Sequence, residues 1–217
     1  MSLQAHALGQ DRGDRRLFDG LDFSLQPGEA LWVRGTNGAG KTSLLRLLCG
    51  LSRPQRGEVR WEGRTLPEAG EAFRADLAWC GHGQGLKDDL GALDNLVAAA
   101  AIAGRPCSSE QALAALAAIG LGGALAYRPV RLLSQGQRKR AALARLFLAD
   151  PPRLWVLDEP LSALDAASTV QLQAHLDAHL ARGGLLVCTT HQPLALRSPR
   201  LRTLDLDGDD PAPWRPH

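Results

Sequence analysis

The sequence has no Cys-x-x-Cys pair. Cys49, Cys80, Cys107 and Cys188 are scattered through 217 residues. That spacing excludes a zinc knuckle and offers no disulfide frame, so reduced cysteines are expected. There is no charge excess either: 25 Lys and Arg stand against 23 Asp and Glu, a net charge of +2. A general nucleic-acid binder needs a stronger basic bias, so no direct nucleic-acid partner is expected. Arg15-Arg16 and Arg138-Lys139-Arg140 read as solvated faces. No stretch has the roughly 20 strongly apolar residues that cross a bilayer. The uncharged stretch 111–127 is Ala-rich but broken by Gly120, Gly122 and Gly123, and reads as an amphipathic helix ending at Gly120. The opening residues reach Asp11 and Arg12 without an apolar core, so no signal peptide is expected. No internal repeat or low-complexity region is visible. The expectation is one domain, 1–217, soluble by itself and reaching a membrane only through a partner.

What is present centres on Gly35-Thr36-Asn37-Gly38-Ala39-Gly40-Lys41-Thr42. It fits the phosphate-loop spacing, Gly, four residues, then Gly-Lys-Thr. Residues 30–33 before it are apolar enough for a buried strand, and 43–48 after it read as a helix stopping at Gly50. Glycines let successive N–H groups point inward, and the helix adds its positive end. Lys41 would reach the β- and γ-phosphates and the Thr42 hydroxyl would ligate Mg²⁺.

In chain order, Leu21, Phe23 and Leu25 alternate as in a half-buried strand, and Pro27-Gly28 turns the chain. Residues 57–66 read as a hairpin with Glu62-Gly63 at its turn, and 77–80 as a further strand. Residues 93–148 are helical in pattern: Asp94 is expected to cap one helix through Ile102, Ser108 or Ser109 a second. A third runs over 136–148 with Leu143, Leu146 and Phe147 apolar. Strands are expected again at 154–157 and 185–188, a helix at 166–181, and an edge strand at 201–206. The tail through Pro211, Pro213 and Pro216 is expected to lie loose. The fold class expected is α/β: a P-loop core with a mainly parallel sheet, an N-terminal antiparallel β subdomain and a helical insertion. Residues 1–86 and 151–217 would form the core and 87–150 the helical subdomain.

Asp158-Glu159 follows the apolar strand directly, where α/β sheets place their ligands. Asp158 there can hold Mg²⁺, and Glu159 can orient or deprotonate water attacking the γ-phosphate. Leu133-Ser134-Gln135-Gly136-Gln137 opens a helix, either as a plain cap or as a second phosphate cradle. His191 ends a strand and is read as touching the γ-phosphate or its water. His175 and His179, four apart, read as a surface pattern.

Together these stretches resemble the nucleotide-binding domain of ATP-binding cassette (ABC) proteins. Residues 35–42 resemble Walker A, 154–159 Walker B with its catalytic Glu, and 133–137 the signature, with Gln135 replacing its first Gly. Residues 162–165 resemble the D-loop and His191 the switch histidine. The resemblance implies ATP and Mg²⁺ as cofactors. It also implies a head-to-tail homodimer, in which Ser134, Gly136 and Gln137 of one copy meet ATP on the other. Arg12 stands where an aromatic usually stacks on adenine, and a guanidinium can also stack. The Q-loop position falls to His82 or Gln84, with Gln84 taken as the Mg²⁺ or water contact. The smaller matches, Gly81-His82, Gly85-Leu86-Lys87 and residues 191–194, resemble the ATP-binding subunits of the haem exporter of bacterial cytochrome c maturation. That implies transmembrane permease subunits as partners and a peripheral place on the cytoplasmic face of the inner membrane. A cassette ATPase acting on ribosomes or DNA, an exporter of another cargo, a non-hydrolysing module, and a GTPase or kinase are the competing readings.

Overall fold

The first strand is one that the sequence pattern hides. β1 (Leu3–Arg12) pairs antiparallel with β2 (Arg15–Leu25). Leu3 and Ala5 are buried, and then Leu8, because a bulge at Ala7 (φ 46°) shifts the pleat by one residue. In this computed structural model, which describes residues 2–83, 85–197 and 200–208, β3 (Ala30–Arg34) leads through the phosphate loop into α1 (Lys41–Leu48). β4 (Arg56–Trp61) and β5 (Arg64–Thr65) form the expected hairpin, with Glu62 (φ 53°) and Gly63 (φ 77°) at its turn. α2 (Leu66–Asp76) was not expected. Thr65 N–H donates to the Glu68 carboxylate at its start, and Gly70 breaks it midway.

β6 (Leu77–Cys80) precedes the helical stretch: α3 (Ala92–Ile102), α4 (Ser109–Ala118), α5 (Ala124–Tyr127) and α6 (Gln135–Leu143). Asp94 does not cap α3; Gly91 does, and Asp94 lies in the first turn. Ser108 caps α4 in a reciprocal box with Gln111. The third expected helix ends early: α6 stops at Leu143 and tightens to a 3₁₀ turn over Ala144–Phe147. β7 (Leu154–Asp158), α7 (Ala166–Ala181), β8 (Leu185–Thr189) and β9 (Leu201–Asp205) complete the described chain. The expected loose tail lies outside the described residues.

The strands form two sheets. One is antiparallel, in the order β2-β1-β4-β5; the other is parallel throughout, in the order β6-β7-β8-β3-β9. β7 and β8 explain their unbroken apolar runs. Leu154, Val156, Leu185 and Val187 face one core, shared with α1 and the antiparallel sheet. Trp155, Leu157, Leu186 and Cys188 face the other, shared with the helices. A strand buried on both faces has no position left for a polar residue until it ends. The polar ends of β7 and β8, beside α1, are where the site forms.

Two surface readings are corrected. Lys139 is 5% exposed, on the inner side of α6. His179 is 3% exposed and stacks on Trp155 with ring centroids 3.7 Å apart, and His175 stacks on Phe147 at 3.8 Å. Among the described residues no helix is long and apolar enough to cross a membrane.

Candidate functional site

β3 ends at Arg34 and α1 begins at Lys41, so the loop between them must turn within a few residues. Gly35, Gly38 and Gly40 adopt φ of 143°, 88° and 104°. A Cβ on Gly40 would stand 3.0 Å from the Leu17 Cβ. Gly40 takes the N-cap position of α1 without a side-chain cap. The leading N–H groups of α1 and its positive end are therefore available to an anion. Ala39 is buried beneath the loop. Lys41 Nζ donates to the carbonyls of Gly35 (2.6 Å) and Thr36 (3.1 Å).

At the facing strand ends, Asp158 lies in register with Thr189. Asp158 Oδ2 accepts from the Thr42 hydroxyl at 2.8 Å, and Oδ1 accepts from the Thr189 hydroxyl at 2.7 Å. The Thr189 hydroxyl in turn accepts the Glu159 N–H at 2.9 Å. This chain of hydrogen bonds ties α1, β7 and β8 to one another. Glu159 itself sits at φ 51°, a left-handed conformation that a non-glycine residue rarely adopts. The turn places its carboxylate against His191, whose N–H donates to Oε2 at 3.3 Å and whose Nε2 lies 3.5 Å from Oε1. Oε1 is shielded from solvent and makes no hydrogen bond to any described residue. A buried acceptor without a donor is suited to receive one from a bound water.

These groups surround one cleft of about 480 Å³. Thr36, Asn37, Gly38, Gly40, Lys41 and Thr42 line it with Asp158, Glu159 and His191, and Arg12 at the end of β1 and Leu17 on β2 form a wall. Gly35 lines an adjoining cleft on the other side of the loop. His82 also lines the nucleotide-sized cleft; Gln84 lies outside the described residues. Thr42 Oγ1 and Asp158 Oδ2 put two oxygen donors beside the phosphate loop. That suits Mg²⁺, which takes few protein oxygens and completes its shell with phosphate and water. Among the described residues no group of three or more His, Cys, Asp or Glu offers a protein-only cage.

Ser134, Gly136 and Gln137 do not join this cleft. Ser134 caps α6: its hydroxyl accepts Gln137 N–H at 3.2 Å while its own N–H donates to Gln137 Oε1 at 2.9 Å. A Cβ on Gly136 would stand 2.7 Å from the Ala163 carbonyl oxygen, so α6 starts in close contact with the turn that follows Glu159. Lys139 reaches from the same helix to the Asp158 carbonyl at 3.5 Å. Burial holds its amine below the ordinary lysine range, opposed by the nearby Cys80, Asp158 and Glu159. Sequence reasoning missed Thr189, Lys139 and Asp207. Thr189 alone left a trace, a hydroxyl at the end of an apolar run.

Comparison with known proteins agrees with this geometry. The model of the ABC transporter family matches residues 18–162. The cytochrome c biogenesis ATP-binding export protein CcmA of Nitrosomonas europaea is 49% identical over 194 residues, covering 89% of this chain and 90% of its own. That of Dechloromonas aromatica is 48% identical over 204 residues, covering 94% and 99%. Among solved structures, the dimeric post-hydrolysis state of the ATP-binding cassette MJ0796 bound to ADP and Pi superposes with a TM-score of 0.81 at 22% identity. That match covers 94% of this chain and 93% of the other. A putative ABC transporter ATP-binding protein from Pyrococcus furiosus gives 0.79 at 20% identity, covering 94% and 97%. At such identities the structures speak for the fold, and the closer sequences for the family. The chain belongs to the ABC transporter ATP-binding family, among the cytochrome c biogenesis ATP-binding export proteins.

Proposed function

We propose that this chain hydrolyses ATP as the motor subunit of an ABC exporter serving cytochrome c maturation, with haem as the cargo. The observation that carries the ATPase reading is the Thr42–Asp158–Thr189–Glu159 chain of hydrogen bonds beside an uncapped helix start. The export reading is supported by the relatives that share 48–49% identity over most of the chain.

In this reading the amides of Gly38 to Thr42 cradle the β- and γ-phosphates, and Lys41 exchanges its loop carbonyls for phosphate oxygens. Thr42 and Asp158 would hold Mg²⁺, which supplies charge neutralisation across the phosphates when bound. Arg12 and Leu17 stack on the base. Glu159 orients the attacking water and takes its proton through Oε1, which makes no hydrogen bond to any described residue, and His191 steadies that carboxylate. The remaining side of the triphosphate is covered by Ser134, Gly136 and Gln137 of a second copy, since in one copy they lie away from the cleft. The whole chain acts as one ATP-binding domain, residues 87–150 moving as its helical subdomain. Transmembrane permease subunits receive that movement on the cytoplasmic face of the inner membrane.

Glu159→Gln tests the reading. ATP binding is expected to persist while turnover falls by roughly 10³-fold, the scale of a lost general base. An ATP-dependent dimer should then accumulate on size-exclusion chromatography. Turnover at the wild-type rate would remove Glu159 from the chemistry.

A further inference from the structure

We propose that Asp207 is a positioning residue for the phosphate loop, a carboxylate delivered by the end of β9 that fixes Thr36 and pre-shapes the loop for a triphosphate. The proposal rests on the ATPase reading above. Asp207 Oδ2 accepts the Thr36 N–H at 2.5 Å, and Oδ1 accepts the Thr36 hydroxyl at 2.9 Å, across 171 residues of sequence. Hydrogen bonds to an ionised acceptor are the stronger kind.

The carboxylate lies two residues beyond the end of β9. β9 runs parallel to β3 with Asp205 in register with Arg34. Leu206 N–H donates to the Arg34 carbonyl at 3.0 Å, and Asp207 N–H to Asp205 Oδ1 at 3.0 Å. From the opposite side the Thr36 carbonyl accepts from Lys41 Nζ at 3.1 Å and from Ala39 N–H at 3.2 Å. Every polar group of Thr36 is thus engaged, so the entry to the loop is held by hydrogen bonds that need no ligand. Asp207 lines the adjoining cleft with Arg34 and Gln192, not the cleft that holds Asp158 and Glu159. It therefore acts on nucleotide through Thr36, by geometry. A binding loop ordered in advance loses less on binding.

The test is ATP affinity and the division of effect between KM and kcat in the full chain. Asp207→Ala is expected to raise the ATP Kd and KM about tenfold with kcat within about twofold of wild type. Asp207→Asn keeps an oxygen for the Thr36 N–H and should stay within about threefold. Thr36→Val removes only the hydroxyl and should weaken ATP about threefold. Adding it to Asp207→Ala should cost nothing more, because the shared bond is already gone. If Asp207→Ala shifts the urea midpoint, Thr36→Val, which leaves β9 intact, carries the test. Wild-type affinity in both Asp207→Ala and Thr36→Val would overturn the proposal. So would a fall in kcat at constant KM, or strictly additive effects in the double variant. A wild-type chain that bound no ATP would instead overturn the function proposed above.

Discussion

Thr189 donates to Asp158 and accepts from the Glu159 N–H through a single hydroxyl. Valine there keeps the shape and removes both bonds, leaving the strained Glu159 turn (φ 51°) without its anchor. Thr189→Val should lower kcat about tenfold, the rate equivalent of roughly 1.4 kcal/mol, while ATP affinity stays within about threefold. Steady-state phosphate release and ATP titration check this, and an unchanged kcat would show that Glu159 is held by other means. Residues of this kind separate what could be read from the sequence from what could not. Asp158, Glu159 and His191 stand out because each lies at or within two residues of the end of an apolar strand. Thr189, Lys139 and Asp207 matter through partners 31, 19 and 171 residues away, respectively. Such pairings are set by sheet register and helix docking, which no local pattern records. Lys139 also misleads by composition, since a basic triplet on a helix normally faces water.

The elements were legible where burial matches a period and hidden where a defect breaks it. β7 and β8 announce themselves as unbroken apolar runs because both faces are covered. β1 has its pleat shifted at Ala7, so its buried residues do not alternate, and α2 is interrupted at Gly70 (φ 53°). The i, i+4 pair on α7 misleads in another way. His175 and His179 have the spacing of a helix face, and that face is turned inward onto Trp155 and Phe147. Burial depresses His179 from 6.5 to about 4, against a hydrogen bond from its ring to the Leu185 carbonyl at 3.2 Å. The folded state thus holds the ring neutral while the unfolded chain takes up a proton below pH 6.5, so stability falls as pH drops toward 4. Between pH 7 and pH 5 this loss should be about 2 kcal/mol. Urea unfolding of wild type and His179→Phe measures it. The variant should be less stable at pH 7 and flatter with pH, and equal slopes would place the acid sensitivity elsewhere.

At the scale of the molecule, the parallel sheet divides two cores. Residues from both sides of that division, Thr42 and Ser43 on α1 and Glu159 and Ser162 after β7, meet at its polar edge. Both sides of the sheet thus contribute side chains to the same cleft. Co-expression with the exporter's membrane subunits should carry the chain into a detergent-extracted complex. Its ATP turnover should rise severalfold when haem is added; turnover indifferent to haem would assign the motor to another cargo. The start of α6 bears on how two such copies would meet. The Ser134 hydroxyl oxygen accepts the Gln137 N–H, and Gln137 Oε1 accepts the Ser134 N–H. In both bonds Ser134 Oγ and Gln137 Oε1 are acceptors, which leaves the Ser134 O–H donor uncommitted within this cap. That donor, which makes no hydrogen bond to a described residue in one copy, is the group a second copy's triphosphate would engage if the two copies meet as proposed.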